Sequence, residues 1–252
     1  MLIDTHSHLN DSRYNNDKIE EIINNLENNN LEKVITVAYD TQSSFKNIEI
    51  SSKYDKIYTS IGVHPEKCCE NLDFLETLVN NNKVIAIGEI GLDYHYDGYN
   101  KENQKKCFIN QIIFAYNHKL PIIIHLRDAY QDMLDILKEY KHYLTYGAVV
   151  HCYSGSWEYA KELLKLGLYI SFTGVITFKN VRQSIEVIKE MPLDKLLIET
   201  DCPYLCPEPF RGKLNEPKFV NLVFDKICEI RDINKKDLEN ILRQNTRNFF
   251  KI

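Results

Sequence analysis

Short apolar runs recur along the chain, each followed by a stretch in which apolar positions return every three or four residues. The runs lie at about 1–5 (MLIDT), 33–39 (KVITVAY), 57–61 (IYTSI), 84–88 (VIAIG), 121–125 (PIIIH), 147–151 (GAVVH), 168–172 (LYISF) and 196–200 (LLIET). Their shortness, continuous hydrophobicity and β-branched content predict strands covered on both faces, as in a parallel sheet. The intervening stretches predict amphipathic helices. Ile19, Ile22, Ile23 and Leu26 keep helical spacing, as do Phe108, Ile112 and Ala115, and Met133, Leu137 and Tyr140. Near the C-terminus, Leu238, Ile241, Leu242 and Asn245 share one helical face. Eight strand–helix units in 252 residues suit a (β/α)8 barrel, taken as a single domain over 1–252. The competing arrangement is an open doubly wound sheet. That fold calls for a Gly-rich phosphate loop after a strand, and GEIGLD at 88–93 does not fit the pattern.

Polar residues gather where these strands end. His6 and His8 stand at the end of the first run, and residues two apart in a strand point to the same side. Alone, the pair reads equally well as two hydrogen-bonded histidines closing a strand. The other ends decide the matter. His64 follows the third run, Glu89 and Asp93 follow the fourth, and His125, Arg127 and Asp128 close the fifth. His151 and Ser154 follow the sixth, Glu199 and Asp201 the eighth. A barrel brings all its strand C-termini to one rim. Five of the eight histidines would then converge there with several carboxylates.

Four imidazoles and two or three carboxylates exceed the ligand set of one tetrahedral zinc. They suit two divalent ions about 3.5–4 Å apart with a shared carboxylate. Two carboxylates against two divalent ions leave surplus positive charge, which an anionic phosphate ester would match. The spacing thus predicts a hydrolase of phosphate esters. The donors do not choose the metal: imidazole-rich sites favour Zn, Mn or Fe, while Mg prefers oxygen and water.

Composition narrows the setting. Hydrophobic residues make up 44% and charged residues 27%, enough apolar content for a sizeable core. The seven cysteines show no paired CxxC spacing, which predicts reduced thiols rather than a disulfide or zinc-finger framework. No apolar run reaches the roughly 20 residues of a membrane span, and MLID is too short and acidic for a secretory leader. A cytoplasmic location is expected, or a nuclear one in a eukaryote. The net charge of −5 argues against a broad basic face for duplex DNA.

With these residues in view, the chain resembles the TatD family of metal-dependent deoxyribonucleases, within the amidohydrolase-like barrel superfamily. The resemblance rests on DTHSHLN (4–10), GVHPE (62–66), GEIGLDY (88–94), PIIIHLRDA (121–129), HCYSGS (151–156), TG (173–174), ETDCPYL (199–205), RGKLNEP (211–217) and NTRNFF (245–250). It implies a β/α barrel, two divalent metal ions per subunit (Zn, Mn or Mg) and hydrolysis of DNA from an end. It further implies that His6, His8 and Asp201 hold one metal, His125 and His151 the other, with Glu89 bridging. Catalytic roles fall to Glu89, Asp201 and His64, with Asp201 orienting the attacking water. His64 would meet the phosphate or protonate the leaving oxygen, and Arg127 and Arg211 would clamp phosphate. The implied partner is DNA, at single-stranded or frayed ends and with 3′ ends preferred, acted on by a monomer with no membrane. Leu214 stands where many relatives carry a polar residue.

The remaining candidates have plainer readings. Cys202 and Cys206 flank Asp201 and read as packing thiols. His95 could line the mouth or sit in a loop. His118 and His142 read as residues near helix C-termini. Tyr94, Tyr153 and Trp157 are candidates to stack bases, with helix packing equally open for Trp157. Lys179, Arg182 and Lys213 could add local positive charge near the rim. Rival readings are a phosphotriesterase, a lactonase or an esterase of nucleic-acid-linked esters on the same barrel, and, outside enzymes, a binding scaffold that keeps metals for stability. The first two commonly use a modified lysine as the bridge, whereas the fourth strand here offers Glu89.

Overall fold

In the computed structural model, which describes all 252 residues, eight parallel strands neighbour one another in chain order from first to last. They are β1 (Leu2–Ser7), β2 (Leu31–Thr36), β3 (Ile57–Ile61), β4 (Val84–Asp93), β5 (Ile122–Arg127), β6 (Ala148–Val150), β7 (Tyr169–Phe172) and β8 (Leu196–Ile198). The sequential order excludes the doubly wound sheet, whose strand order reverses at a switch point. Between and after the strands lie α1 (Asn16–Asn24), α2 (Thr41–Lys53), α3 (Phe74–Leu78), α4 (Lys101–Asn117), α5 (Tyr130–Glu139), α6 (Trp157–Lys165), α7 (Gln183–Glu190), α8 (Val220–Arg231) and α9 (Lys235–Phe250). None of the helices is long and apolar enough to cross a membrane.

The expected helical faces are buried: Ile19, Ile22 and Ile23 on α1, Phe108, Ile112 and Ala115 on α4, and Leu238, Leu242 and Asn245 on α9. Helix starts follow the usual chemistry, in which a short polar side chain accepts from an otherwise unpaired N–H. Asn15, Asp40, Asn100, Ser156 and Asn234 do so for α1, α2, α4, α6 and α9.

Strand alternation sorts the interior into two layers. On β5, Ile122 and Ile124 join the large core under the helices, while Ile123 joins a separate cluster with Ile35, Ile85, Val149 and Leu197. That second cluster is the inside of the barrel, floored by Phe249 and Phe250 from α9. Two residues further along the same faces stand His125, His151 and Glu199. An apolar floor thus carries a polar upper layer, set by the period of two.

Only β3 and β7 end where the sequence places them. β4 is ten residues long and runs through GEIGLD to Asp93, so Glu89 lies within the strand. Gly91 makes this possible, because a Cβ there would collide with the His125 carbonyl of the adjacent strand. β6 and β8 stop after three residues each. Asp128, Cys152 and Asp201 adopt left-handed φ of 53°, 46° and 55°, which ends regular pairing just as β5, β6 and β8 reach the rim.

Between β8 and β1 the barrel closes through single bonds rather than a full ladder. Asp201 N donates to His6 O at 2.9 Å and His8 N to Cys202 O at 2.6 Å. The Thr200 N–H and hydroxyl donate to the buried Asp4 carboxylate at 2.9 and 2.6 Å. The seam that closes the barrel is therefore built from the residues that flank the histidine pair.

Candidate metal centre

Glu89 stands at the middle of the polar layer, buried and surrounded by imidazoles. Its Oε2 lies 2.9 Å from His6 Nε2 and 3.3 Å from His151 Nε2. Its Oε1 lies 3.2 Å from His64 Nε2 and 3.4 Å from His125 Nδ1. On one flank His8 Nε2 approaches Asp201 Oδ1 at 3.3 Å and His6 Nε2 at 3.3 Å. On the other, His125 Nδ1 faces His151 Nε2 at 3.3 Å. All six residues implied as ligands are thus brought together from β1, β4, β5 and the segments after β1, β6 and β8.

The outer nitrogens show what the inner ones carry. His8 Nδ1 is 2.9 Å from the Val37 carbonyl, which can only accept, so Nδ1 holds the proton. His125 Nε2 is 2.9 Å from Asp93 Oδ2, so there too the outer nitrogen is the donor. In the neutral rings, His8 Nε2 and His125 Nδ1 then turn lone pairs toward other nitrogens and toward carboxylate oxygens. Glu89 Oε2 is buried without a well-formed hydrogen bond. Lone pairs converging at 3.3 to 3.4 Å repel unless a cation sits among them. The donor set fits divalent ions, and ligating histidines with outer acceptors are the usual support for such sites.

Without an ion, protons serve in its place. Burial opposes charge on His8, but the hydrogen bond to Asp201 and the charge of Glu89 raise it to about 9. Burial likewise opposes, and Asp93 and Glu89 overcome, at His125, also about 9. Burial pushes the Glu89 carboxyl upward, yet His151, His125 and His6 outweigh it and hold the group well below its ordinary range. His64 moves the other way: burial and the neighbouring His125 lower it to about 3. Its Nδ1 accepts from the Glu66 N–H at 3.2 Å, leaving Nε2 as an N–H donor toward Glu89.

In three sets the donor atoms lie within 4.8 Å of one another: His6, His8 and Asp201; His6, Glu89 and His151; and His64, Asp93 and His125. Asp93 and Glu199, noted as strand-end carboxylates but given no role from sequence, prove to back the histidines. Glu199 Oε1 accepts from Cys152 N at 2.7 Å and lies 3.5 Å from His151 Nδ1. The signal for both was parity: Asp93 is opposite Arg127 in register, and Glu199 shares its face with Leu197.

The two arginines lie apart from this cluster, each on an aromatic ring. Arg127 stands 5.1 Å over Tyr96 and Arg211 4.3 Å over Phe178. Lys179, Arg182 and Lys213 are exposed, as is Leu214. Cys202 is a core thiol, and Cys206 is buried against the Leu214 carbonyl at 3.9 Å. His95 pairs with Asp128 at 2.8 Å in the loop after β4. His118 follows α4 against Phe114, while His142 lies in a short 3-10 turn after α5 rather than within a helix. Tyr153 is buried and donates to the Ser156 carbonyl, so it offers no free face. Trp157 packs on the core, and Tyr94 is stacked on Tyr99 with its hydroxyl on Asp132.

A parallel barrel carrying imidazoles and carboxylates at the C-terminal rim defines a metal-dependent hydrolase. The chain matches the family model for TatD related DNase over residues 3–251. It is 43% identical over 256 residues to the metal-dependent hydrolase YabD of Bacillus subtilis (strain 168), covering 100% of each chain. It is 34% identical over 256 residues to the metal-dependent hydrolase YcfH of Escherichia coli (strain K12), covering 100% of this chain and 96% of the other. The crystal structure of YJJV, a TatD homologue from Escherichia coli K12, superposes with a TM-score of 0.93 at 29% identity, covering 100% of this chain and 98% of that one. The chain belongs to the TatD family.

Proposed function

We propose that this chain is an exodeoxyribonuclease that removes nucleotides from the 3′ ends of single-stranded or frayed DNA. The observation that carries the reading is Glu89, whose Oε2 faces His6 and His151 and whose Oε1 faces His64 and His125. In this reading His6, His8 and Asp201 would hold one divalent ion and His125 and His151 a second, with Glu89 between them. Such a pair, when bound, polarises a phosphate ester and makes water a competent nucleophile near neutral pH.

The chain's own groups supply the rest. Asp201, ionised beside His8, can take the proton of an attacking water. His64, neutral with Nε2–H directed inward, donates a hydrogen bond to a phosphate or leaving oxygen. Arg211 and Arg127, the latter with one N–H on the Tyr96 hydroxyl, have further guanidinium N–H groups that can make charge-assisted bonds to phosphate. The net charge of −5 offers duplex DNA no extended basic track. A duplex interior would also have to unstack and bend to reach a barrel mouth, at a few kcal/mol per step. The family model's description as TatD related DNase supports the substrate class.

The test is to strip the protein of metal, restore Zn, Mn, Mg or Fe separately, and assay a panel of substrates. An end-labelled single strand should yield mononucleotides stepwise from its 3′ end, while a closed circle of the same sequence survives. Cutting of the circle at the linear rate would overturn the end-docking model. Turnover of a phosphotriester or lactone, with DNA untouched, would overturn the nuclease reading.

A further inference from the structure

The aromatic rings free to meet a ligand at the barrel mouth are not those the sequence singled out. Tyr204 is 45% exposed and its ring centroid lies 5.9 Å from that of His8, edge-on at 76°. Tyr39 meets the same imidazole from another side, also at 5.9 Å and at 66°. Neither tyrosine packs against the hydrophobic core. An exposed ring with no packing role is ordinarily left mobile, yet Tyr204 is held at four points. Its N–H donates to Asp201 O at 3.0 Å, and its carbonyl accepts from Asn215 Nδ2 at 2.6 Å. Its hydroxyl donates to Asp11 Oδ2 at 3.2 Å, and Arg13 sits 4.3 Å from the ring centroid. Arg13 is itself fixed to Asp11 through Nε and Nη2, both at 2.8 Å.

We propose that Tyr204, braced by Arg13 and Asp11 and accompanied by Tyr39, is a stacking platform for the base of the nucleotide whose phosphate enters the Glu89 cluster. The proposal rests on the phosphodiesterase reading above and names its substrate as a base-bearing strand. Arg13 sits over the Tyr204 ring, and with 45% of the residue exposed, surface remains open to a ligand. Every nucleobase has a π-face, so such a platform binds without sequence preference. Holding the ring in place beforehand removes the entropy that a mobile side chain would lose on binding. The position is also apt, because Tyr204 is three residues from Asp201 and shares its turn. A base on this ring would therefore be registered against the phosphate by a short, bonded segment of backbone.

The experiment compares a short oligothymidylate with a strand of equal length built from abasic tetrahydrofuran nucleotides. Equilibrium binding, kcat and KM are measured for the wild type, Tyr204→Ala, Tyr204→Phe and Phe45→Ala, the last an exposed aromatic on α2. Metal content and circular dichroism report on folding. The wild type should bind the base-bearing strand more tightly. Tyr204→Ala should weaken that binding, and raise its KM, by about 10- to 100-fold, as expected for one lost base–aromatic stack. The abasic strand should be little affected and Phe45→Ala should stay close to wild type, while Tyr204→Phe, which keeps the ring but loses the bond to Asp11, should fall between wild type and Tyr204→Ala on the base-bearing strand. Equal losses on both strands, or a wild type that binds them equally, would overturn the platform. A wild type that prefers the base-bearing strand but cleaves neither would uphold the platform and overturn the nuclease reading instead.

Discussion

Asp93 and His125 are joined across β4 and β5 by a 2.9 Å hydrogen bond from Nε2 to Oδ2. Through that bond Asp93 decides which nitrogen of His125 faces Glu89, and it adds negative charge behind the ring. Replacing it should release both constraints. Asp93→Ala is expected to lower metal affinity by about 10- to 100-fold, the usual effect of removing an outer partner of a ligating histidine. Titration of the metal-free variant with Zn and Mn measures this directly. An unchanged affinity would mean that His125 is oriented by its neighbours alone.

Metal uptake should also move protons. His8 and His125 are raised to about 9 by the carboxylates beside them, so both are protonated in the ion-free protein at neutral pH. A ligating imidazole must be neutral, so binding displaces those protons. Apparent affinity should therefore climb as pH rises toward 9 and flatten above it, with about two protons released per loaded chain at pH 7.5. Calorimetry in buffers of different ionisation enthalpy counts the protons. A heat that is independent of buffer would contradict the charge assigned to His8 and His125 in the ion-free protein.

Glu89→Gln keeps the shape of the residue and removes the charge that two flanks share. Bound metal should fall from about two toward one or none per chain, with turnover down at least ~10³-fold as the activated nucleophile is lost. Elemental analysis of the purified variant provides the metal count. Two retained ions with near-normal activity would defeat the shared-carboxylate assignment.

His64 touches Glu89 but completes neither proposed ion site. His64→Ala should leave metal content and fold intact while activity falls by about 10²- to 10⁴-fold, the range for a lost proton-handling group. Because burial and His125 hold His64 down to about 3, it is neutral above pH 4. Any break in the wild-type pH–rate profile between 5 and 8 should therefore persist in the variant. Parallel loss of metal and activity would make His64 a ligand.

The eight apolar runs were legible because a strand buried on both faces must be apolar throughout, whatever its neighbours are. All eight begin within two residues of where the sequence puts them, and β3 matches at both ends. The ends were harder. β4 outran its expected length because Gly91 tolerates the close approach of His125, a contact between strands that no single run reveals. The aromatics at the mouth were hard to rank for the same reason. Tyr153 and Trp157 look as available as Tyr204 in a sequence, and only packing distinguishes a ring that fills the core from one braced above it.

Local chemistry along the chain determined the barrel class and the gathering of histidines and carboxylates at strand ends, because strand period and strand-end position are properties of short segments. The choice of six among them came from the family resemblance. What only the tertiary structure decided is how those residues face one another. The outer partners of His8 and His125 come from other strands, Val37 and Asp93, and they set which lone pairs point inward. The brace on Tyr204 joins Asp11 and Arg13 from the first loop to a turn almost 200 residues later. Contacts between segments so distant in sequence form only when the barrel closes, and the seam between β8 and β1 is where this chain closes it.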